Sequence, residues 1–309
     1  MPKLSLFRAV RRFLGSKADN RVVAPDNSLP KTKLGVITSD EMAFYSASAA
    51  RSFGKEGAIV DLGCWLGSSS IALARGILTR DPQAEHPEER VFAFDIFQWE
   101  NWMPARIPYC LYQPGESFLP EARRIVSQYG GGRVELRQAD LRHCQWVDGP
   151  IKILLVDVMK TEDLAIQIPR NFFSSLTPES LLIHQDFKHY FTSWIHIIHY
   201  RLREYFRFYR SVPRGTVAFQ VVAPLPQEEV EHATDFRKAS DDEIESAFRY
   251  SLGLVEPEER VNIAAAHVMY YAHAKRKDAA SRTVEAYRPL GMLDKGEFPK
   301  ALDFLRQIG

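Results

Sequence analysis

The sequence predicts an α/β fold, a mostly parallel sheet of seven strands with helices on both faces, followed by a helical C-terminal appendage. Three observations carry that expectation. From about residue 39, short apolar runs alternate with helical stretches, the βαβ rhythm that builds a parallel sheet covered on both sides. Two further strand candidates are separated only by Pro213, Arg214 and Gly215, which suits a hairpin. From residue 226 onward the chain changes character and reads as helices.

Residues 1–17 place Leu4, Phe7, Val10, Phe13 and Leu14 on one helical face, away from Lys3, Arg8, Arg11 and Arg12. Such a short basic amphipathic helix packs on its own chain or a sister subunit, lies on acidic lipid, or stays a loose tail. Residues 18–34, rich in Asn, Asp, Pro and Lys, read as a linker. Apolar spacing then predicts a helix over 39–53, a strand at 58–60 ending in Asp61, a glycine-containing turn and a helix over 69–78. Strands are expected at 91–94, 134–137, 151–156 and 181–183, with helices over 117–129 and 161–175. A long amphipathic segment, 192–205, leads into the hairpin strands 206–212 and 216–223. Beyond them Ser240 and Glu243 form a capping box ahead of Ile244, Ala247, Phe248 and Leu252, and Pro257 opens a helix running toward Lys275. The chain thus divides into an N-terminal helix and linker (1–33), a sheet domain (34–225) and a helical region (226–309). The expected role of the last is oligomerisation, giving a homo-oligomer, or closure over a substrate.

Forty basic residues balance thirty-nine acidic ones, so the chain lacks the charge excess of a nucleic-acid binder. Its three cysteines, Cys64, Cys110 and Cys144, show no C-x-x-C spacing, which argues against a disulfide framework or a cysteine-built zinc site and for a reducing compartment. No apolar run approaches the roughly 20 residues of a membrane span, and no secretory signal is evident. A cytoplasmic location is expected.

The strongest chemical signal is the segment 57–70, in which an apolar strand runs into Asp61 and then a turn carrying Gly63 and Gly67 just before a helix. Glycine lets the backbone turn sharply and lets a ligand approach, while the helix N-terminus favours an anionic group. The G-x-G-x-x-G dinucleotide fingerprint is absent, and an acid followed by this loop suits S-adenosylmethionine, whose anionic group is a carboxylate. Asp61, Gly63, Trp65, Gly67 and Ser68 are the candidate loop contacts. Asp95 ends the next strand, where an acid can accept from both ribose hydroxyls of a nucleoside, and Asp140 follows the third, within reach of an adenine amino group. The aromatic residues Trp99, Trp102, Tyr109 and Tyr112, in the insertion after Asp95, form a wall over the acceptor or simply pack.

Residues 34–223 resemble a class I S-adenosylmethionine-dependent methyltransferase, a Rossmann-like fold. Within that superfamily Val60-Asp-Leu-Gly-Cys-Trp-Leu-Gly-Ser-Ser and Phe94-Asp-Ile-Phe look like the macrocin O-methyltransferase group. That resemblance implies methylation of a hydroxyl on a small acceptor such as a sugar or glycosylated metabolite, with magnesium. The fourth and fifth strands end at Asp157 and at Gln185-Asp186, and carboxylates on adjacent strand ends can share one divalent cation. The group's D-x-D is here Asp157-Val-Met159, and its paired acids are Gln185-Asp186, so the candidate ligands are Asp157, Asp186 and the Gln185 carbonyl. His189 matches a histidine after the paired acids, and the Asp157–Lys160 spacing resembles the ligand and base lysine of catechol O-methyltransferases. Either Asp157, Asp186 and a magnesium ion activate the hydroxyl, or His189 or Lys160 takes its proton. His196 and His199 lack a third ligand nearby. A nicotinamide-dependent dehydrogenase is disfavoured by the missing G-x-G-x-x-G, and the one Tyr-x-x-x-Lys spacing, Tyr271 to Lys275, lies outside the sheet region. A competing reading, prompted by Met159 and Gln185, is a non-catalytic cofactor-binding or scaffold protein on the same fold.

Overall fold

Side-chain alternation along the strands builds two cores, one on each side of a single sheet. The structure, a computed structural model, describes residues 37–103 and 112–308; the helix and linker expected at 1–34, Tyr109 and Cys110 lie outside the described residues. Thr32–Gly309 forms one compact unit.

The strands are β1 (Ala58–Leu62), β2 (Val91–Asp95), β3 (Val134–Gln138), β4 (Ile151–Val156), β5 (Leu176–His184), β6 (Phe206–Ser211) and β7 (Val217–Val221), in the order β3-β2-β1-β4-β5-β7-β6. The first five pair in parallel, and β7 runs antiparallel between β5 and β6. This is the expected α/β architecture of seven mostly parallel strands. Ile59, Ile153, Leu155 and Ile183 face one side, packing on Phe44, Tyr45 and Ala49 of α1 (Ser39–Ser52) and Leu73 and Ile77 of α2 (Ser68–Arg80). Their neighbours Val60, Leu62, Leu154, Val156 and Leu182 face the other, as the two-residue period of a strand requires. A reciprocal capping box starts α1, with Glu41 N–H donating to Thr38 and Thr38 N–H to the Glu41 carboxylate. The remaining sheet-domain helices are α3 (Leu119–Tyr129), α4 (Glu162–Phe172) and α5 (Trp194–Arg201).

The expected amphipathic run at 192–205 forms only the eight residues of α5, and Trp194 through His199 are all buried. Its polar face is covered because α7 (Asp241–Gly253) packs over it. Helices α6 (Gln227–Thr234), α7, α8 (Arg260–His273), α9 (Lys277–Tyr287) and α10 (Phe298–Gln307) complete the C-terminal region. The division expected at residue 226 is not a packing boundary: Phe236, Phe248, Ile263, Val268 and Phe298 share one continuous core with Leu182, Phe187 and Phe219 of the sheet domain. The Ser240–Glu243 box is half formed, because Ser240 accepts from Glu243 N–H while the Glu243 carboxylate pairs with Arg201 of α5 at 2.7 Å. Among the described residues, no helix is long and apolar enough to cross a membrane.

Candidate functional site

The order of the sheet reverses between β1 and β4, and in open α/β sheets ligands bind beyond the carboxyl ends of the strands at such a switch point. The candidate residues follow those strand ends. After β1 the chain adopts positive φ at Gly63 (88°), Trp65 (47°) and Gly67 (89°). At Gly63 an added Cβ would lie 2.8 Å from the Asp157 carbonyl oxygen and 2.3 Å from Val158 Cγ1, so the loop after β4 presses directly on the loop after β1. Gly67 is the N-cap of α2 and supplies no side-chain cap; the positive end of the helix dipole faces the loop with Ser68 as its first residue.

Asp95 ties this loop to the next strand end. Its carboxylate accepts from Trp65 N–H at 2.9 Å and from Phe97 N–H at 2.8 Å. Burial raises its pKa, and those two N–H groups pull it back. Each carboxylate oxygen keeps a second lone pair for a hydroxyl. Asp61 is placed differently from the expectation of a ligand contact. It is fully buried beneath the loop, its Oδ2 accepting from the hydroxyls of Ser69 (2.7 Å) and Ser70 (2.5 Å), so it braces the start of α2 from below. Burial raises its pKa to about 6 despite those hydroxyls. Asp61 Oδ1 and Trp65 Nε1 are buried with no hydrogen-bond partner among the described residues. Asp140 stands beyond β3 in a chelate with Arg142, whose Nε lies 2.9 Å away and holds the carboxyl at about 2. Of the aromatic insertion, Trp99 is buried against Phe118 and Tyr112, while Trp102 is exposed and lies 5.3 Å from the Trp65 ring.

Beyond β4 and β5 the structure brings together Asp157, Lys160 and Asp186. Lys160 Nζ lies 2.8 Å from Asp157 Oδ1 and 3.2 Å from Asp186 Oδ2. Burial raises the Asp157 pKa well above the carboxylate range; Lys160 opposes that, and Asp186 adds to it. Burial would raise Asp186 too, but Lys160 and His189 outweigh it and hold it low. Gln185 does not join them. Its Oε1 accepts from the buried Tyr45 hydroxyl at 3.3 Å, and Tyr45 also contacts Thr216, which donates to Glu41. Among the described residues no group of three or more His, Cys, Asp or Glu is arranged to hold a metal. His189 sits in the same loop, with Nδ1 accepting from Phe191 N–H at 3.3 Å and Nε2 facing Glu297 at 3.6 Å.

Sequence reasoning did not anticipate Glu297, which also accepts from Tyr190 N–H at 3.1 Å, the Tyr45–Thr216–Glu41 network, or the pair between buried Lys188 and half-buried Glu259 at 2.6 Å. Each joins segments tens of residues apart, and no local spacing announces them. His196 and His199 are buried without hydrogen-bond partners among the described residues.

The sequence matches no protein-family model and no curated protein. Solved structures to which the chain is similar include the O-methyltransferase NovP (13% identity, covering 59% of this chain and 80% of that one, TM-score 0.46). A calicheamicin methyltransferase gives 14% identity, 58% and 78% coverage and a TM-score of 0.43. The 23S rRNA methyltransferase ErmE gives 12%, 74%, 97% and 0.33. The activity of this chain has to be read from its own residues.

Proposed function

We propose that the protein is a class I S-adenosylmethionine-dependent methyltransferase acting on a hydroxyl of a small acceptor, a sugar or glycosylated metabolite. The observation that carries this reading is the Trp65 N–H to Asp95 hydrogen bond, which joins the glycine loop after β1 to the acid after β2 at the switch point of the sheet. The residues present fit the cofactor. Gly63, Trp65, Gly67 and Ser68 would receive its amino-acid end, Asp95 its ribose and Asp140 its adenine, with Asp61 bracing the loop. Bound there, S-adenosylmethionine would supply a sulfonium methyl group.

The acceptor hydroxyl must lose a proton as it attacks. In its ionised form Asp157 takes that proton, with Lys160 Nζ, 2.8 Å from its Oδ1, holding the carboxylate in place. Lys160 is a cation rather than a base here: burial disfavours its charge, but Asp157 and Asp186 raise its pKa above that of a free lysine. His189, engaged by Phe191 N–H and facing Glu297, supports the loop carrying Asp186. Magnesium does not fit these residues, since the Lys160 ammonium lies between the two carboxylates and Gln185 is bonded to Tyr45.

Met159 is buried and its carbonyl accepts from the Trp194 indole, so neither it nor Gln185 reaches a reacting group. That favours a second reading, a cofactor-binding protein without turnover. Calorimetry with S-adenosylhomocysteine and label transfer from methyl-tritiated cofactor to a small-molecule pool separate the two. Binding with transfer supports the enzyme, binding without transfer the second reading, and NAD binding with no S-adenosylhomocysteine binding removes both. Asp95→Ala should weaken cofactor binding by about 1.5–3 kcal/mol through lost charged hydrogen bonds.

A further inference from the structure

A cavity of about 360 Å³ lies where the sheet domain meets the C-terminal helices, lined among others by Glu162, Trp194, Arg237, His273, Lys275 and Arg276. Its walls continue both loops of the reaction centre. Glu162 follows Lys160 by two residues, and the Trp194 indole N–H donates to the Met159 carbonyl at 2.8 Å. Thr192, just ahead of the lining residue Ser193, donates its hydroxyl to the Asp186 carbonyl at 2.6 Å. The cavity is therefore walled by segments that continue the loops carrying Asp157, Lys160 and Asp186.

Its chemistry is one-sided. Its lining holds three residues with cationic side chains, Arg237, Lys275 and Arg276, and one carboxylate residue, Glu162. Arg237 is engaged by Glu162 and Arg276 by Asp241, whereas Lys275 has no ion pair among the described residues. Its backbone lies in the left-handed region at φ 56°, just past the end of α8. His273 adds a directional group. Its Nδ1 is 3.2 Å from the Ser193 hydroxyl, and its Nε2 is buried with no partner among the described residues. Which of the Ser193 hydroxyl and His273 Nδ1 donates follows the tautomer of the ring. Burial keeps His273 below the usual histidine pKa, so it adds no charge to the cavity wall.

We propose that this cavity binds an acidic group, carboxylate or phosphate, on the small molecule whose hydroxyl is methylated, so that the acceptor is an anion. Lys275 supplies the free charge, a charge-assisted contact stronger than neutral pairing. The proposal rests on the methyltransferase reading for the word acceptor; the anion site itself stands or falls by direct binding.

The full chain is titrated, with S-adenosylhomocysteine present, against four probes: 4-hydroxybenzoate and its uncharged counterpart 4-hydroxybenzyl alcohol, and inorganic phosphate and sulfate as ions alone. Ligand-observed NMR and thermal shift report binding. The carboxylate should bind at least about tenfold tighter than the alcohol, as a desolvated charge contact implies. Lys275→Glu and the milder Lys275→Gln should remove that preference, while the remote surface change Arg306→Glu should leave it intact. Preference retained in folded Lys275→Gln overturns the proposal, as does equal binding of acid and alcohol, or failure of every anion to bind at millimolar concentration. Tighter phosphate than carboxylate binding, lost in Lys275→Gln, assigns the acid group as phosphate and supports the site. Anion binding without S-adenosylhomocysteine binding keeps the cavity and removes the methyltransferase reading, so the two failures are distinguishable.

Discussion

Adding one methyl group at Gly63 should separate loop geometry from fold stability, with Gly67 as the internal control. Both residues sit at nearly the same φ, 88° and 89°, so a non-glycine residue costs about 1–2 kcal/mol at either position for the left-handed conformation alone. Surroundings then distinguish them. A Cβ at Gly63 would meet the Asp157 carbonyl oxygen at 2.8 Å and Val158 Cγ1 at 2.3 Å, whereas one at Gly67 would meet only Val126 Cγ2 within 3 Å. Backbone cannot rotate away as a side-chain tip can, so overpacking at Gly63 adds about 1–3 kcal/mol. Gly63→Ala should cost about 2–5 kcal/mol in total, and Gly67→Ala about 1–3 kcal/mol less than that. Urea denaturation measures both. Because Asp157 must shift to admit the methyl group, Gly63→Ala should also depress transfer more than it weakens cofactor binding. A Gly67→Ala protein as destabilised as Gly63→Ala would refute the reasoning.

Replacing Lys160 with Met should open the space between Asp157 and Asp186 to a hard cation. Manganese(II), followed by electron paramagnetic resonance, should bind the variant about tenfold or more tighter than the parent, and parent binding at equal affinity would show that the lysine is simply displaced. Stability should fall as pH drops below about 6.5. His184 and His196 are fully buried with pKa values lowered by burial to about 3, so between about pH 6.5 and 3 the unfolded chain binds protons that the folded chain refuses. Those two groups alone cost about 4 kcal/mol at pH 5; His199 and His267, also lowered by burial, add to this, and Asp61 and Asp157, raised by burial, partly offset it as pH falls. A melting temperature that did not drop between pH 7 and pH 5, or whose drop persisted undiminished in His196→Phe, would contradict this assignment. Deleting residues 226–309 should expose the shared core around Phe187 and Phe219 and cause aggregation; a soluble fragment with cooperative unfolding would show that the sheet domain folds alone.

The strands, their alternation and the glycine loop are legible in the sequence because each rests on contacts within about ten residues. Short continuous apolar runs mark β1, β4 and the end of β5, and the positive φ at Gly63 and Gly67 is written in the residue type. The acids at the strand ends are equally visible. What each acid does was not, because that depends on partners brought from elsewhere in the chain. Asp61 reads as a ligand contact until Ser69 and Ser70 turn over it, and Gln185 reads as a metal ligand until Tyr45 of α1 claims its carbonyl. The amphipathic reading of 192–205 failed for the same reason, since a polar histidine face looks solvent-directed until α7 covers it. Sequence by itself determined the sheet and the strand ends where the candidate site is sought. Only the tertiary structure decided that Lys160 stands between two carboxylates, that Glu297 faces His189, and that the C-terminal helices share the sheet's core, because such long-range pairings leave no periodicity in the chain.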